Sequence, residues 1–336
     1  MPASAPDAPL GTSPVPAAFD PLIHGPRGRD RGVWNGLTTW LFNDARRGKR
    51  LTADSVAVVV RGYARLLRPA NALIAAAAVC VGAVVAVGTS EAALQWQAVA
   101  LGAVVAFLFT GAGNALNDVY DRETDRVNHP DRPIPSGQVS PRAASVLAGS
   151  LFAAAILAGM SINIPASGLV LASLALMVAY EERFKASGWS GNLLIAWLVG
   201  SLFVFAGLCV YGGRVEPLAI AASLAVLAGL STVAREVVKD IEDLAGDVDR
   251  ATLPRRRGIP FAGRVAQAFL AAAVVLSVLP AILGILGPWY PPLVAAADAI
   301  FIYAAWHATR SPGRSERAMK GAMVVALAAF LAGGLA

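Results

Sequence analysis

Nine apolar runs, each near the length that crosses a lipid bilayer, constrain this chain more than any other feature. They fall at about 69–89, 95–116, 143–161, 166–181, 191–211, 216–237, 263–286, 291–308 and 318–335. A helix needs about 20 apolar residues to cross the hydrocarbon core. Composition agrees with spans rather than a soluble core. The chain is 56% hydrophobic and 15% charged, with a mean hydropathy of +0.59, the profile of a multi-spanning membrane protein. The predicted fold class is all-α, a polytopic membrane bundle of about nine transmembrane helices.

Ahead of the first run, residues 1–33 are rich in Pro, Ala, Gly and Arg and carry no apolar core segment. They read as a disordered tail, neither signal peptide nor span. Residues 34–60 mix Trp34, Leu37, Trp40, Leu41 and Phe42 with Arg46, Arg47, Lys49 and Arg50. They read as an amphipathic, interfacial segment or as a plain linker. Residues 61–336 are the membrane domain.

The connecting loops sort by charge. From residue 61 onward nearly all the Lys and Arg lie in 61–68, 117–142, 181–185, 238–264 and 310–320, and few lie in 89–91, 161–165, 211–217 and 287–292. The positive-inside rule places the first set in the cytoplasm, the N-terminus inside and the C-terminus outside. Trp96, Trp289 and Tyr290 fall where interfacial aromatics belong. The net charge of +6 then reflects orientation and lipid contact, and no aromatic–basic interleaving points to nucleic acid. Cys80 and Cys209 lie in apolar runs as small buried residues, and His24, His129 and His307 form no zinc pattern.

Two polar stretches stand out against this background. Residues 114–137 read NALNDVYDRETDRVNHPDRPIPSG. Asn117, Asp121 and Asp125 recur every fourth residue and share one helical face, with Asn114 one turn earlier. Residues 235–258 read REVVKDIEDLAGDVDRATLPRRRG, with Asp240, Asp243 and Asp247 again on one face. Each motif closes an apolar run on the basic side and precedes a basic loop bearing Pro and Gly. Matching motifs in two halves point to an internal repeat with a site between the halves. Oxygen-bearing side chains in phase suit a hard divalent cation such as Mg²⁺. The bland alternative for either motif alone is a helix end fraying into a solvated charged loop.

Two facing carboxylate clusters repel unless cations lie between them. Mg²⁺ ions there would leave coordination positions for a phosphate or diphosphate. Lys239 lies within the second motif, and Arg122, Arg126, Arg132, Arg183 and Lys185 lie nearby; Arg122, Arg126 and Arg183 read better as ordinary positive-inside residues.

The string NDVYDRETD followed by DRPIPSG resembles the first signature of the UbiA superfamily of intramembrane prenyltransferases, and KDIEDLAGD resembles its second. RPAN at 68–71 and the segment from Lys185 to Gly191 and Asn192 are also in line, so the resemblance covers roughly residues 61–336. Within the superfamily the chain is most similar to the digeranylgeranylglyceryl phosphate synthase-like branch.

The resemblance implies helices around a central cavity under a cytoplasmic polar cap, in the cell membrane of a bacterium or archaeon. It implies a polyprenyl diphosphate donor held through Mg²⁺, a small-molecule or lipid acceptor, and a tail groove open to membrane lipids. Asn117, Asp121 and Asp125 match the first metal-binding motif, and Asp240, Asp243 and Asp247 the second. Asp121, Asp125, Asp243 and Asp247 would carry the chemistry. Arg132 and Lys185, with Lys239, would hold diphosphate. Arg68 and Asn71, with Asn114, would line the cavity near the acceptor. Asp118 points about 100° from Asn117 on a helix and reads as structural. The implied reaction is ionisation of the allylic diphosphate in a dry apolar cavity, with transfer to a geranylgeranylglyceryl phosphate-type lipid or to an aromatic acid or quinone precursor.

Other classes stay open on the residues alone. An ion-coupled transporter also uses repeats and intramembrane acids, but would place them near the bilayer middle. A CDP-alcohol phosphotransferase would carry a DGxxAR-like string, which is absent. A scaffold would leave the doubled acid pattern unexplained. Asp298, inside the eighth run, reads as an acid facing the cavity or pairing with another helix, outside the site.

Overall fold

A computed structural model describes residues 53–245 and 250–335. The expected tail at 1–33, the segment 34–52 and Asp247 lie outside the described residues. Ten principal helices make up the fold. α1 (Ala53–Leu67) leads into α2 (Pro69–Val87), α3 (Trp96–Tyr120), α4 (Pro141–Met160) and α5 (Ile164–Ala179). After them come α6 (Trp189–Cys209), α7 (Glu216–Glu242), α8 (Ile259–Leu276), α9 (Tyr290–His307) and α10 (Pro312–Gly334).

α1 runs across residue 60, turning Tyr63 and Leu66 into a core cluster while Val58 and Val60 face outward. Among the described residues, eight helices are long and apolar enough to cross a membrane: α2 to α8 and α10. Two of these spans run on past their α-helices, to Ser187 and Ile282. The eighth run, 291–308, also forms a helix, the 18-residue α9. Its apolar content is diluted by Asp298, His307, two prolines and two tyrosines, so it falls short of the others as a span.

From α2 to α10 each helix packs on the next, and α2 closes the ring against α10. α2 also packs on α6 and α7. Where these backbones meet, the residues are small. A methyl on Gly200 of α6 would stand 2.9 Å from the Ala225 carbonyl oxygen of α7. Without a hydrophobic force between helices in lipid, such close approach is what holds them together.

The two halves end alike on the basic side. α3 stops at Asp121 (φ −81°, ψ 1°) and a short helix, Arg122–Asn128, follows. α7 stops at Asp243 (φ −84°, ψ 2°) and a 3₁₀ turn, Asp243–Ala245, follows. The same backbone break at the same place in each motif supports the internal repeat. It also sets a register: Asp240 and Asp243 stand where Asp118 and Asp121 stand.

One expectation is corrected. Trp96 and Trp289 are exposed as interfacial aromatics should be, but Tyr290 is fully buried. It donates to the Ser277 carbonyl at 2.7 Å and stacks on Phe330. A buried phenol needs a partner for its hydroxyl, and that carbonyl supplies it.

Candidate active site

A cavity of about 660 Å³ opens between the halves, within the range of ligand sites. Its mouth is polar, lined by Arg68, Asn71, Asn114, Asn117, Arg132 and Lys239. Its middle and floor are largely apolar, with Ile74, Phe109, Leu198, Leu202, Leu227 and Phe330. Six of the residues singled out in the sequence therefore share one mouth although they come from α2, α3, α7 and the loop after α3.

Arg68 sits at the junction of α1 and α2, the one non-glycine residue with positive φ among those described (48°). Pro69 follows and cannot donate to the preceding turn. The strained backbone turns the guanidinium onto Asp118, which is buried on α3 and stands 3.8 Å from Arg132 Nη1 as well. Asn114 Nδ2 donates to the Leu67 carbonyl at 3.0 Å, holding the same junction. Asp118 thus fixes two cations of the mouth, which agrees with its structural reading.

The first-motif acids are held by cations from other elements. Lys185 Nζ lies 2.8 Å from Asp121 Oδ1, and Arg250 Nη2 lies 3.1 Å from the same oxygen. Arg132 Nη1 lies 2.6 Å from Asp125 Oδ2. A π-helical turn, Tyr180–Phe184, ends the fifth helix and presents Lys185 to this cluster. Such turns insert one residue per turn and are frequent at functional sites. Lys185 also meets Glu181 Oε2 at 2.7 Å, and Asn117 Nδ2 donates to Glu181 Oε1 at 2.8 Å.

The second motif joins from the other side. Asn192 Nδ2 of α6 donates to Asp240 Oδ2 at 2.8 Å. The loops of the two halves touch directly: the Ala251 amide donates to the Ala186 carbonyl at 2.9 Å. A methyl on Gly188 would stand 2.5 Å from the Ala251 carbonyl oxygen, and its φ is +67°. Only glycine fits such a contact and conformation. Lys185 and Arg250 therefore tie the cap across the mouth.

The donor set fits a hard cation in kind, since carboxylate and amide oxygens are what Mg²⁺ prefers. Asn117 lines the mouth and Asp125 pairs with Arg132 of the mouth, while Asp121 pairs with Lys185 and Arg250 of the cap and Asp240 accepts from Asn192. Among the described residues, no three acidic, His or Cys side chains are drawn into one cluster; Lys and Arg stand against the acids instead.

Several residues around the site were not singled out from the sequence. Glu181 lies in the π-helical turn and meets Asn117, and Arg250 lies after α7 and meets Asp121, each pairing remote in sequence. Glu236, Glu316 and Lys320 line the cavity. Asp298 lines its deeper part, accepting from Ser277 Oγ at 2.8 Å, as an acid that faces the cavity.

The chain matches the UbiA prenyltransferase family over residues 75–331. It belongs to that family. Digeranylgeranylglyceryl phosphate synthase of Haloquadratum walsbyi is 41% identical over 277 residues, covering 82% of this chain and 94% of that protein. A solved structure of digeranylgeranylglyceryl phosphate synthase in membranes superposes with a TM-score of 0.66 at 30% identity, over 82% of this chain and 99% of that one. A UbiA homolog from Archaeoglobus fulgidus bound to DMAPP and Mg²⁺ superposes with a TM-score of 0.54 at 20% identity, over 80% of this chain and 98% of that one, a likeness of fold. This UbiA member is thus an integral membrane prenyltransferase, and the transporter, phosphotransferase and scaffold readings fall away.

Proposed function

We propose that this prenyltransferase moves a polyprenyl group from its diphosphate to a free hydroxyl of a glycerol phosphate lipid of the geranylgeranylglyceryl phosphate type, at the cytoplasmic face and with Mg²⁺. The observation that carries the reading is one cavity with a charged mouth between two acid motifs and an apolar floor. The acceptor class is taken from the synthase of Haloquadratum walsbyi, which is similar over nearly its whole length.

Asn117, Asp121, Asp125, Asp240, Asp243 and Asp247 would hold the metal. Bound there, Mg²⁺ would neutralise the charge that develops on the diphosphate. Lys185 and Arg132 already stand against Asp121 and Asp125, so they reach a diphosphate bound over those acids, and Lys239 lines the same mouth. Preorganised cations of this kind stabilise a leaving group as its charge grows. The C1–O bond breaks and its electron pair leaves with the diphosphate. The acceptor hydroxyl oxygen forms the new bond to C1 and gives its proton to the released diphosphate. The apolar walls keep water from the cationic carbon.

Purified protein given geranylgeranyl diphosphate and Mg²⁺ is expected to alkylate geranylgeranylglyceryl phosphate, with the doubly alkylated phosphate seen by mass spectrometry. Prenylation of 4-hydroxybenzoate in its place would overturn the acceptor assignment. Orientation has its own test, in a background carrying Cys80→Ala and Cys209→Ala. Val215→Cys is expected to react with an impermeant maleimide from outside whole cells, and Val127→Cys only after lysis. Both positions are exposed. The reverse pattern would turn the site outward.

A further inference from the structure

Five charged side chains line the wall of the cavity formed by α7 and α10: Arg235, Glu236, Lys239, Glu316 and Lys320. Charges inside apolar helices are costly and mark function. Arg235 pairs with Glu236 and lies 3.3 Å from Glu316 Oε1, and Lys320 Nζ lies 2.7 Å from the same Glu316 oxygen. Three basic groups face two acidic ones, so this wall keeps a positive charge. Its donors are not used up by these pairs. A guanidinium has five N–H groups and an ammonium three, and only some of them meet the two acids.

Lys239 belongs to the mouth, but Arg235 and Lys320 stand apart from the cations that would hold the diphosphate. Lys185 and Arg132 are committed to Asp121 and Asp125 of the first motif. Arg235 lies five residues before Asp240 on α7, which places it roughly 7.5 Å further into the bundle. Beyond Lys320 on α10 the lining turns apolar, with Met323 and Leu327.

We propose that Arg235 and Lys320 hold the phosphate monoester of the acceptor, with the acceptor's own prenyl chain lying along Met323 and Leu327. This rests on the acceptor being a glycerol phosphate lipid. The planar guanidinium fork matches phosphate oxygens, and the Lys320 ammonium supplies point charge. The phosphate anchored here sets the free hydroxyl toward the mouth, where the donor's C1 would lie. The ion pairs with Glu236 and Glu316 hold the cations in place in its absence.

Steady-state kinetics of Arg235→Lys and Lys320→Ala test the site, with geranylgeranylglyceryl phosphate and phosphate-free geranylgeranylglycerol as acceptors. Lys320 is 60% exposed and Arg235→Lys keeps the charge against both acids, so both variants are expected to unfold at the wild-type temperature in detergent. Each is expected to raise KM for the phosphorylated acceptor about tenfold, the worth of one charge-assisted hydrogen bond. KM for the donor should stay within about twofold. Turnover of the phosphate-free alcohol should not change. An unchanged acceptor KM, or an equal rise in donor KM, would overturn the assignment; the latter would give these cations to the diphosphate. A wild-type protein that ignores the phosphorylated acceptor and uses an aromatic one would fail the acceptor class itself, visibly before any variant is made.

Discussion

Asp121→Ala is expected to abolish turnover, by on the order of 10³-fold or more, while the protein stays folded in detergent. Asp121 ends α3 and takes Lys185 and Arg250 on a single oxygen. It is the point where the two halves of the cap meet. Without its carboxylate the metal would lose a ligand, and the leaving group its charge stabilisation; removing one such electrostatic element costs about 10²–10³ in other enzymes. Glu123 provides the control. It lies two residues away, is well exposed and, among the described residues, pairs with Arg122 and Arg126 of its own turn. Surface pairs of that kind contribute about 0–1 kcal/mol, so Glu123→Ala should keep wild-type turnover and stability. Normal turnover by Asp121→Ala would remove the metal assignment.

Lys185→Ala is expected to lose both stability and activity. The Glu181 side chain is fully buried and has two partners, Asn117 and Lys185. Deleting the ammonium leaves a buried carboxylate uncompensated, a cost of about 3–5 kcal/mol. Turnover should fall roughly 10²-fold as the diphosphate loses a cation. The two effects separate in the double variant Lys185→Ala/Glu181→Gln. With the buried charge removed as well, the unfolding temperature should return most of the way to wild type while turnover stays low. Recovery of activity together with stability would make Lys185 a structural residue only.

The helices were legible because lipid imposes a length and an apolar composition on any segment that crosses it. Eight of the nine runs appear as span-length apolar helices, and the run at 291–308 as the more polar α9. The two motifs stood out because carboxylates at helical spacing have little bland reason to recur at matching helix ends, but the breaks at Asp121 and Asp243 interrupt the single helical face expected of each. The spacing did not disclose which acid is equivalent to which. The register of Asp118 with Asp240 follows from the backbone breaks at Asp121 and Asp243. Counting both motifs from their C-terminal acids would have shown it, since Asp118, Asp121 and Asp125 share the spacing of Asp240, Asp243 and Asp247.

Other features were out of reach for a physical reason. The contact between Arg250 and Asp121 spans 129 residues, and that between Asn192 and Asp240 spans 48. No local periodicity encodes such pairs. Arg235, Glu236, Glu316 and Lys320 carried a weak signal, being charges at the very ends of apolar runs. There they read as loop residues, and only the packing of α7 on α10 puts them on one cavity wall. Tyr290 was misjudged for a related reason. A tyrosine beside Trp289 at a run boundary looks interfacial until the neighbouring helices close over it.

The most direct test of the central claim is diphosphate release by the purified protein supplied with geranylgeranyl diphosphate and geranylgeranylglyceryl phosphate. Release is expected only with Mg²⁺ and both substrates present, to stop on chelation, and to resume when Mg²⁺ is restored. Release that persists in excess chelator, or no release from folded protein with both substrates and Mg²⁺ present, would contradict it.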